Sequence, residues 1–449
     1  MKGRVLFLTQ TASVLGGVER WLADLAPGLA NRGWDVHLGL ADGPMHHVAE
    51  RYLEAWPALA ELPHRLVKAS SGMALGRARA LDAAIGAIRP DVVVPVTMHE
   101  AVAAVVRRRK KGEDVRLVYP VHELEFACFD AVASTVGLLD GVVSVNRLML
   151  DALEELGGLA SDRAFHVPHG ARASVATGGR FDAGRPVRIG YCGKLQEQQK
   201  RAMDIAELGC GLRDEGVDFA IDVAGTGACE RELRERFERE ALGQRATFHG
   251  WLNDDVLYGE VLPSLDVLFV SSDAETGPLV AWEAMAHGVL VLSSRFRGLT
   301  REGLLRDADT ALVFPVGAPR EAARRLAEGL SNRTELRRIA ERGRRLAASS
   351  LVVDRAIDAW SAVLEEIVRR PGRTGIAPSS DMPIGGFRES VEERVRAFLR
   401  RPRISGTWHG EWMRYRLAEV PASVRAEFEH SLEELESRMA PRRDEGWAG

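Results

Sequence analysis

The chain predicts an α/β fold of two parallel-sheet domains followed by a mostly helical C-terminal extension, and three observations carry that prediction. Short apolar runs alternate with helix-period stretches through the first part of the chain, stop, and resume at Val187. Several of these runs end in glycine-rich or polar loops, the edge at which open parallel sheets bind ligands. The length, 449 residues, exceeds one ordinary core, so two or three domains are expected.

In the first series the strand candidates are residues 5–8, 36–40, 92–96, 115–119 and 142–145, with a helical pattern over 18–29 and further helical stretches between several of them. Val167-Pro168-His169-Gly170, then Gly178-Gly179 and Gly184, break the alternation and read as an interdomain connection. The second series has strand candidates at 187–192, 219–224, 246–249, 267–271, 289–293 and 312–314. An arginine-rich helical run covers 320–345, and a further helix covers 351–368 before Pro371-Gly372 ends it. Residues 371–387 are rich in Gly, Pro and Ser and look like a linker. Beyond them Val424, Phe428, Leu432 and Leu435 recur at helical spacing. Trp408, Trp412 and Tyr415 are read as packing residues of this extension.

Composition narrows the function classes. With 46% hydrophobic and 28% charged residues the chain is no disordered polymer, and a net charge of −4 argues against nucleic acid as a general partner. The longest apolar runs fall far short of the ~18 residues a spanning helix needs. The N-terminal residues lead straight into a strand rather than a signal peptide, so the cytoplasm is the expected compartment. Four cysteines without a CxxC pair predict neither a disulfide framework nor a zinc site. Asp307-Ala308-Asp309 precedes a strand and reads as a solvated loop, and His46-His47 lack partner ligands nearby, so no metal is assigned. Arg107-Arg108-Arg109-Lys110-Lys111 has two readings: helix-end charge facing water, or a patch attracted to anionic lipid.

The densest chemistry lies between the strand candidate 267–271 and a helix that stops at Gly288. Glu275 and Glu283 bracket Thr276, Gly277, Pro278, Leu279, Val280, Ala281 and Trp282. A strand, a turn and a helix N-terminus form an anion site, because unpaired N–H groups and the helix dipole point at the loop. A ligand with a central diphosphate and hydroxyls at both ends fits, and a nucleotide-sugar is such a ligand. Three glycine-rich strand ends add weight. Gly16-Gly17 follow the first strand, Gly193-Lys194 follow 187–192, and Gly225-Thr226-Gly227 follow 219–224. None completes the G-x-G-x-x-G dinucleotide fingerprint. Lys194 and Lys200, the latter expected at a helix start with Arg201, can pinch a diphosphate as two point charges. His122 follows a strand at the ligand-binding edge.

Together these segments resemble the retaining glycosyltransferases of family 4, the glycosyl transferases group 1, over about residues 1–370. The specific core is 275–288, read with Ala246-Thr247-Phe248-His249-Gly250-Trp251 and Arg297-Gly298-Leu299. Pro168-His169-Gly170 stands where the family has P-N-G, lysine replaces arginine at 194, and arginine replaces glycine at 201. Thr276-Gly277 replaces the usual Phe-Gly, which bears on the sugar identity.

The resemblance implies the GT-B architecture, two Rossmann-like domains facing across a cleft. They would comprise 1–175 for the acceptor, with helix 351–370 crossing back to it, and 185–350 for the nucleotide-sugar, with 371–449 as the extension. It implies a metal-independent transfer of a sugar from an NDP-sugar to an acceptor hydroxyl, with the donor as substrate and no cofactor. The catalytic residues would be His122, Glu275 and Lys200. Donor binding would fall to Gly16, Gly17, Gly193, Lys194, Lys200, Gly225, Trp251, Thr276, Gly277, Pro278, Leu279, Val280 and Glu283, with Glu283 on the ribose. The acceptor is expected to be lipid-linked, membrane-proximal or a soluble small molecule, with a peripheral place at the inner face of the membrane as one consequence. Two further readings are a nucleotide-sugar epimerase and a non-catalytic scaffold on the same fold.

Overall fold

The computed structural model describes residues 2–14, 16–43, 47–69, 74–172, 181–373 and 420–439. These residues divide into two compact units. One comprises the chain up to Pro168 and from Ala356 to Leu432; the other comprises His169 to Arg355 and the residues from Glu433 onward.

The first unit holds a seven-stranded sheet. Its strands are β1 (Arg4–Thr9), β2 (Asp35–Asp42), β3 (His64–Lys68), β4 (Val92–Val96), β5 (Arg116–Val121), β6 (Gly141–Ser144) and β7 (Ala164–His166). They lie in the order β3-β2-β1-β4-β5-β6-β7, and every pairing is parallel. The central strands β4 and β5 are buried along their whole length, as expected where helices cover both faces. The sequence reading lacks β3 and β7. In β3 only Val67 is buried, and β7 is a three-residue Ala-Phe-His, so neither offers an apolar run.

Helix Gly17–Asn31 packs against helix Val353–Arg369 in this unit. Their tryptophans Trp21 and Trp360 lie 5.4 Å apart between rings. A Cβ on Gly28 would sit 2.4 Å from Ile357 Cδ1, so glycine permits this close crossing. Phe428 of helix Ala422–Met439 packs on Phe129 and Phe126, with ring centroids 4.7 and 5.4 Å away. Phe428, Leu432 and Leu435 are buried, whereas Val424 is exposed. Trp408, Trp412 and Tyr415, and the linker from residue 374, lie outside the described residues.

Within the basic run 107–111 the three arginines are engaged by the protein itself. Arg107 donates to the carbonyl of Ala78, Arg108 pairs with Asp82 and Glu113, and Arg109 pairs with Asp140 and donates to the carbonyls of Val115 and Leu138. These bonds tie the three arginines to the body of the unit, while Lys110 and Lys111 remain exposed. Among the described residues no helix is long and apolar enough to cross a membrane.

The second unit holds a six-stranded parallel sheet. Its strands are β8 (Val187–Cys192), β9 (Phe219–Ala224), β10 (Ala246–Gly250), β11 (Val267–Val270), β12 (Leu290–Ser294) and β13 (Leu312–Phe314), in the order β10-β9-β8-β11-β12-β13. Side chains alternate between two cores. Val267 and Phe269 of β11 enter one, and Leu268 and Val270 enter the other. The arginine-rich run is two helices, Pro319–Leu330 and Arg333–Ser350, divided where Asn332 Oδ1 accepts from the Glu335 N–H at 3.2 Å. Asp307 is held by Arg325 at 2.8 Å and Asp309 by Arg306 at 2.7 Å, so the D-x-D loop is closed by ion pairs.

Candidate active site

In the second sheet the strand order reverses between β8 and β11, since β9 lies on one side of β8 and β11 on the other. Ligands in open parallel sheets bind beyond the C-terminal strand ends at such a switch point. The turn that follows β8 and the loop that follows β11 meet there.

Lys200 lies in the turn after β8 and Glu275 in the loop after β11, and Lys200 Nζ is 2.5 Å from Glu275 Oε1. Ser272 Oγ donates to the same oxygen at 2.6 Å. The Lys200 side chain is 25% exposed and that of Glu275 only 8%, so the ammonium is reachable from solvent while the carboxylate is sheltered. Ser271 Oγ donates to the Lys200 carbonyl at 2.8 Å, and Gln199 Nε2 donates to the Ala274 carbonyl at 3.0 Å. The two loops are thus stitched together by side chains as well as by the ion pair.

Lys200 and Arg201 do not open a helix, contrary to the expectation from sequence. Helix Asp204–Asp214 starts three residues beyond Arg201. Arg201 has φ of 48°, in the left-handed region that glycine occupies without strain. Its ion pair with Asp204 at 2.8 Å offsets part of that cost and lengthens the turn before the helix. The local backbone therefore accounts for glycine being the expected residue at this position.

Glu283 lies in helix Leu279–Ala286, is 4% exposed, and accepts from Tyr258 Oη at 2.5 Å. Both carboxylates face the end of β8. Burial chiefly, then Glu283 and Asp222, push the Cys192 thiol up to about 12. Burial and then Glu275 raise the neighbouring Tyr191 hydroxyl. Thr276, Gly277 and Pro278 connect Glu275 to the helix, whose first residues, Leu279 and Val280, present N–H groups at the positive end of its dipole.

The glycines nearby answer first to backbone packing. A Cβ on Gly225 would lie 1.8 Å from the Gly193 carbonyl oxygen, and one on Gly227 would lie 2.3 Å from that of Leu195. Gly225 N–H donates to the Gly250 carbonyl at 2.7 Å, which places the loop beside Trp251. Trp251 is 52% exposed, unusual for so large an apolar ring. Lys194 is exposed, with its carbonyl accepting from Tyr191 Oη at 2.9 Å.

Gly16, Gly17 and His122 belong to the first unit. Gly16 precedes helix Gly17–Asn31 with φ of 172°, an extended conformation open to any residue, so a left-handed turn is not why glycine stands there. His122 directly follows β5 and packs edge-on to Trp21, with ring centroids 4.5 Å apart. His47 is a buried structural residue whose Nδ1 accepts from the Thr11 N–H. Among the described residues no group of three His, Cys, Asp or Glu side chains is placed to hold a metal ion.

Sequence reasoning missed Ser272, Tyr258 and Gln199. A Ser-Ser pair at the end of a strand is a faint signal for the first. Tyr258 has none, because it reaches Glu283 from a π-helical turn, Leu257–Val261.

Comparison with known proteins bears on the family and the fold. The family described as Glycosyl transferases group 1 matches residues 186–346, and that described as Glycosyltransferase Family 4 matches residues 15–174. No curated protein matches the chain by sequence. Similar solved structures include the Anabaena protein HepE in complex with UDP and glucose, at 17% identity and a TM-score of 0.65, covering 81% of this chain and all of that one. The lipopolysaccharide outer core galactosyltransferase WaaB has 15% identity and a TM-score of 0.65, covering 81% of this chain and 99% of its own. Sucrose-phosphate synthase from Thermosynechococcus elongatus has 14% identity and a TM-score of 0.62, covering 82% and 99%. The chain is a glycosyltransferase with the GT-B fold and belongs to the group 1, family 4 glycosyltransferases.

Proposed function

We propose that the second unit binds a nucleotide-sugar at the β8–β11 switch point and that the enzyme transfers its sugar to an acceptor hydroxyl with retention of configuration and without a metal ion. The observation that carries this reading is the Lys200–Glu275 pair, a solvent-accessible ammonium beside a sheltered carboxylate at the ligand-binding edge of the sheet. Neighbours solved with UDP or UDP-glucose support a donor of that class.

In this reading the diphosphate lies against the N–H groups of Gly277, Leu279 and Val280, with Lys194 and Lys200 supplying positive charge. The ribose hydroxyls share the Glu283 carboxylate with Tyr258, and Trp251 and the Gly193 and Gly225 loops line the nucleotide. Glu275 accepts from hydroxyls of the transferred sugar. The bond from the sugar's anomeric carbon to the phosphate oxygen breaks with its electron pair leaving on the diphosphate. The acceptor oxygen bonds to that carbon, and its proton passes to the departing diphosphate oxygen. Preorganised donors matter most where this charge develops, on the order of 2.7–4 kcal/mol each.

Lys200 also bonds Glu275, so in this reading it is shared between carboxylate and phosphate, and the carboxylate holds it in position. His122 is the first unit's candidate catalytic residue, placed at the end of a central strand. Gly16 and Gly17 offer backbone for close approach at the end of β1. For the acceptor, a hydroxyl of a growing polysaccharide or glycolipid is the class proposed; the arginines of the 107–111 run lend it no support, because they are engaged within the unit.

Calorimetric titration with UDP, GDP and ADP, followed by transfer assays with the matching nucleotide-sugars, tests the proposal. Binding of at least one nucleotide in the absence of divalent cation is expected. Binding that requires the cation would overturn the metal-independent reading.

A further inference from the structure

The family matches end at residue 346, so nothing in them assigns a part to helix Ala422–Met439. Its Glu436 is nonetheless tied to the framework of the second unit's site. Glu436 Oε1 accepts from the backbone N–H of Gly298 at 3.0 Å and of Thr300 at 3.3 Å, 138 and 136 residues away in sequence. Gly298 is left-handed, with φ of 89°, which turns both N–H groups toward one acceptor at the start of the short helix Leu299–Glu302. A carboxylate on such groups makes charge-assisted bonds where no intrahelical partner exists. The Arg297–Glu433 ion pair beside it, at 3.7 Å with Glu433 largely solvated, adds little.

The chain of contacts continues to the site. Arg297 N–H donates to the Asp273 carbonyl at 3.1 Å, and Arg297 forms an isolated parallel bridge with Ala274. From the other side Gln199 Nε2 donates to the Ala274 carbonyl at 3.0 Å, and Asp273 N–H donates to the Gln199 carbonyl at 2.9 Å. Asp273-Ala274 is therefore clasped between Gln199 and Arg297, and the next residue is Glu275.

We propose that Glu436 is a positioning residue for the donor site, fixing the 297–300 turn so that the turn in turn fixes the backbone that presents Glu275. The inference rests on the donor reading above, and its effect on donor binding should exceed its effect on chemistry. Losing one capping carboxylate corresponds to about a fivefold change in an equilibrium constant.

The test uses the full-length chain with Glu436→Ala and Glu436→Gln. Amide hydrogen exchange without any ligand is followed at 297–300 and at 273–276. Faster exchange in both segments for Glu436→Ala, and near wild-type exchange for Glu436→Gln, whose side-chain oxygen still accepts, is expected. UDP, GDP and ADP are then titrated. For whichever the wild type binds, Glu436→Ala should weaken binding and raise the donor KM about fivefold with kcat within twofold, and Glu436→Gln should restore both. Unchanged exchange at 273–276 in Glu436→Ala overturns the proposal, as does a loss of kcat with donor KM unmoved. A wild type that binds none of the three nucleotides sinks the donor reading instead, and the exchange result still decides whether Glu436 acts on the Glu275 segment.

Discussion

At the switch point of the second sheet, between β8 and β11, a lysine and a glutamate meet with the lysine open to solvent. At the corresponding point of the first sheet, between β1 and β4, the strand ends carry Gly16, Gly17 and the buried His99, whose Nδ1 lies 3.1 Å from Tyr119 Oη. The first unit does hold charge nearby, but Arg77 and Glu100 pair at 2.9 Å with side chains only 3% and 1% exposed. A sealed pair cannot share its charge with a ligand without a large desolvation cost, whereas a half-open one can. The same sheet plan therefore carries two charge arrangements: an ion pair reachable from solvent at the second switch point, and a fully buried one in the first unit.

The comparison breaks most visibly if the open pair is removed. Lys200→Ala and Glu275→Ala should each lower the rate of sugar transfer by ~100-fold or more, measured as nucleotide release with acceptor present. Wild-type turnover in both would place the chemistry elsewhere. Arg77→Ala, which opens the sealed pair, should instead act on stability, costing about 3 kcal/mol or more in denaturant unfolding because Glu100 is left buried and uncompensated.

Backbone packing at the second edge gives the next effect. Gly225→Ala places a methyl 1.8 Å from the Gly193 oxygen at a φ of 141°, so the loop after β9 must shift. A loss of about 3 kcal/mol of stability, with weakened nucleotide binding, is expected. Wild-type melting and binding would show that the loops are not in contact.

His169 sharpens the account of the second unit through pH. Burial holds its imidazole at about 4, below the ordinary 6.5. Between those values the unfolded chain binds more protons than the folded one. Stability from this residue is complete above about 6.5 and is lost as the pH falls toward 4, by about 3 kcal/mol in all. Chemical denaturation of wild type and His169→Asn across that range should show the variant's curve flatter by that amount; parallel curves would mean His169 titrates normally.

The smallest effect concerns Arg201. Glycine there relieves left-handed strain but loses the pair with Asp204, so Arg201→Gly should change stability by no more than about 1 kcal/mol. A loss well beyond that would mean the guanidinium holds the turn.

Much of this was legible in the sequence, for physical reasons. Strands β8 and β9 are mostly apolar runs, each interrupted by one charge (Arg188 and Asp222), flanked by turn residues, and the sequence bounds of both coincide with the structure. Glu275 and Glu283 stood out because they bracket a strand-to-helix turn, where unpaired N–H groups and the helix dipole make an anion site. Arg107, Arg108 and Arg109 were ambiguous because their partners, the Ala78 carbonyl for the first and Asp82, Glu113 and Asp140 for the others, come from other elements or a following loop. Tyr258 and Glu436 were invisible for the same reason: Tyr258 makes one hydrogen bond and Glu436 accepts two, all to residues distant in sequence, which leaves no periodicity or spacing behind. The helix start assigned to Lys200 failed because a left-handed arginine extends the turn, a conformation that residue type does not announce.

The central claim is that Lys200 takes hold of the donor's diphosphate at the second sheet's switch point. Titration of wild type and Lys200→Ala with UDP, GDP and ADP in the presence of a chelator measures it directly. The account predicts that at least one nucleotide binds the wild type and that the variant, still folded, binds it at least tenfold more weakly. Equal affinity in both proteins would contradict it.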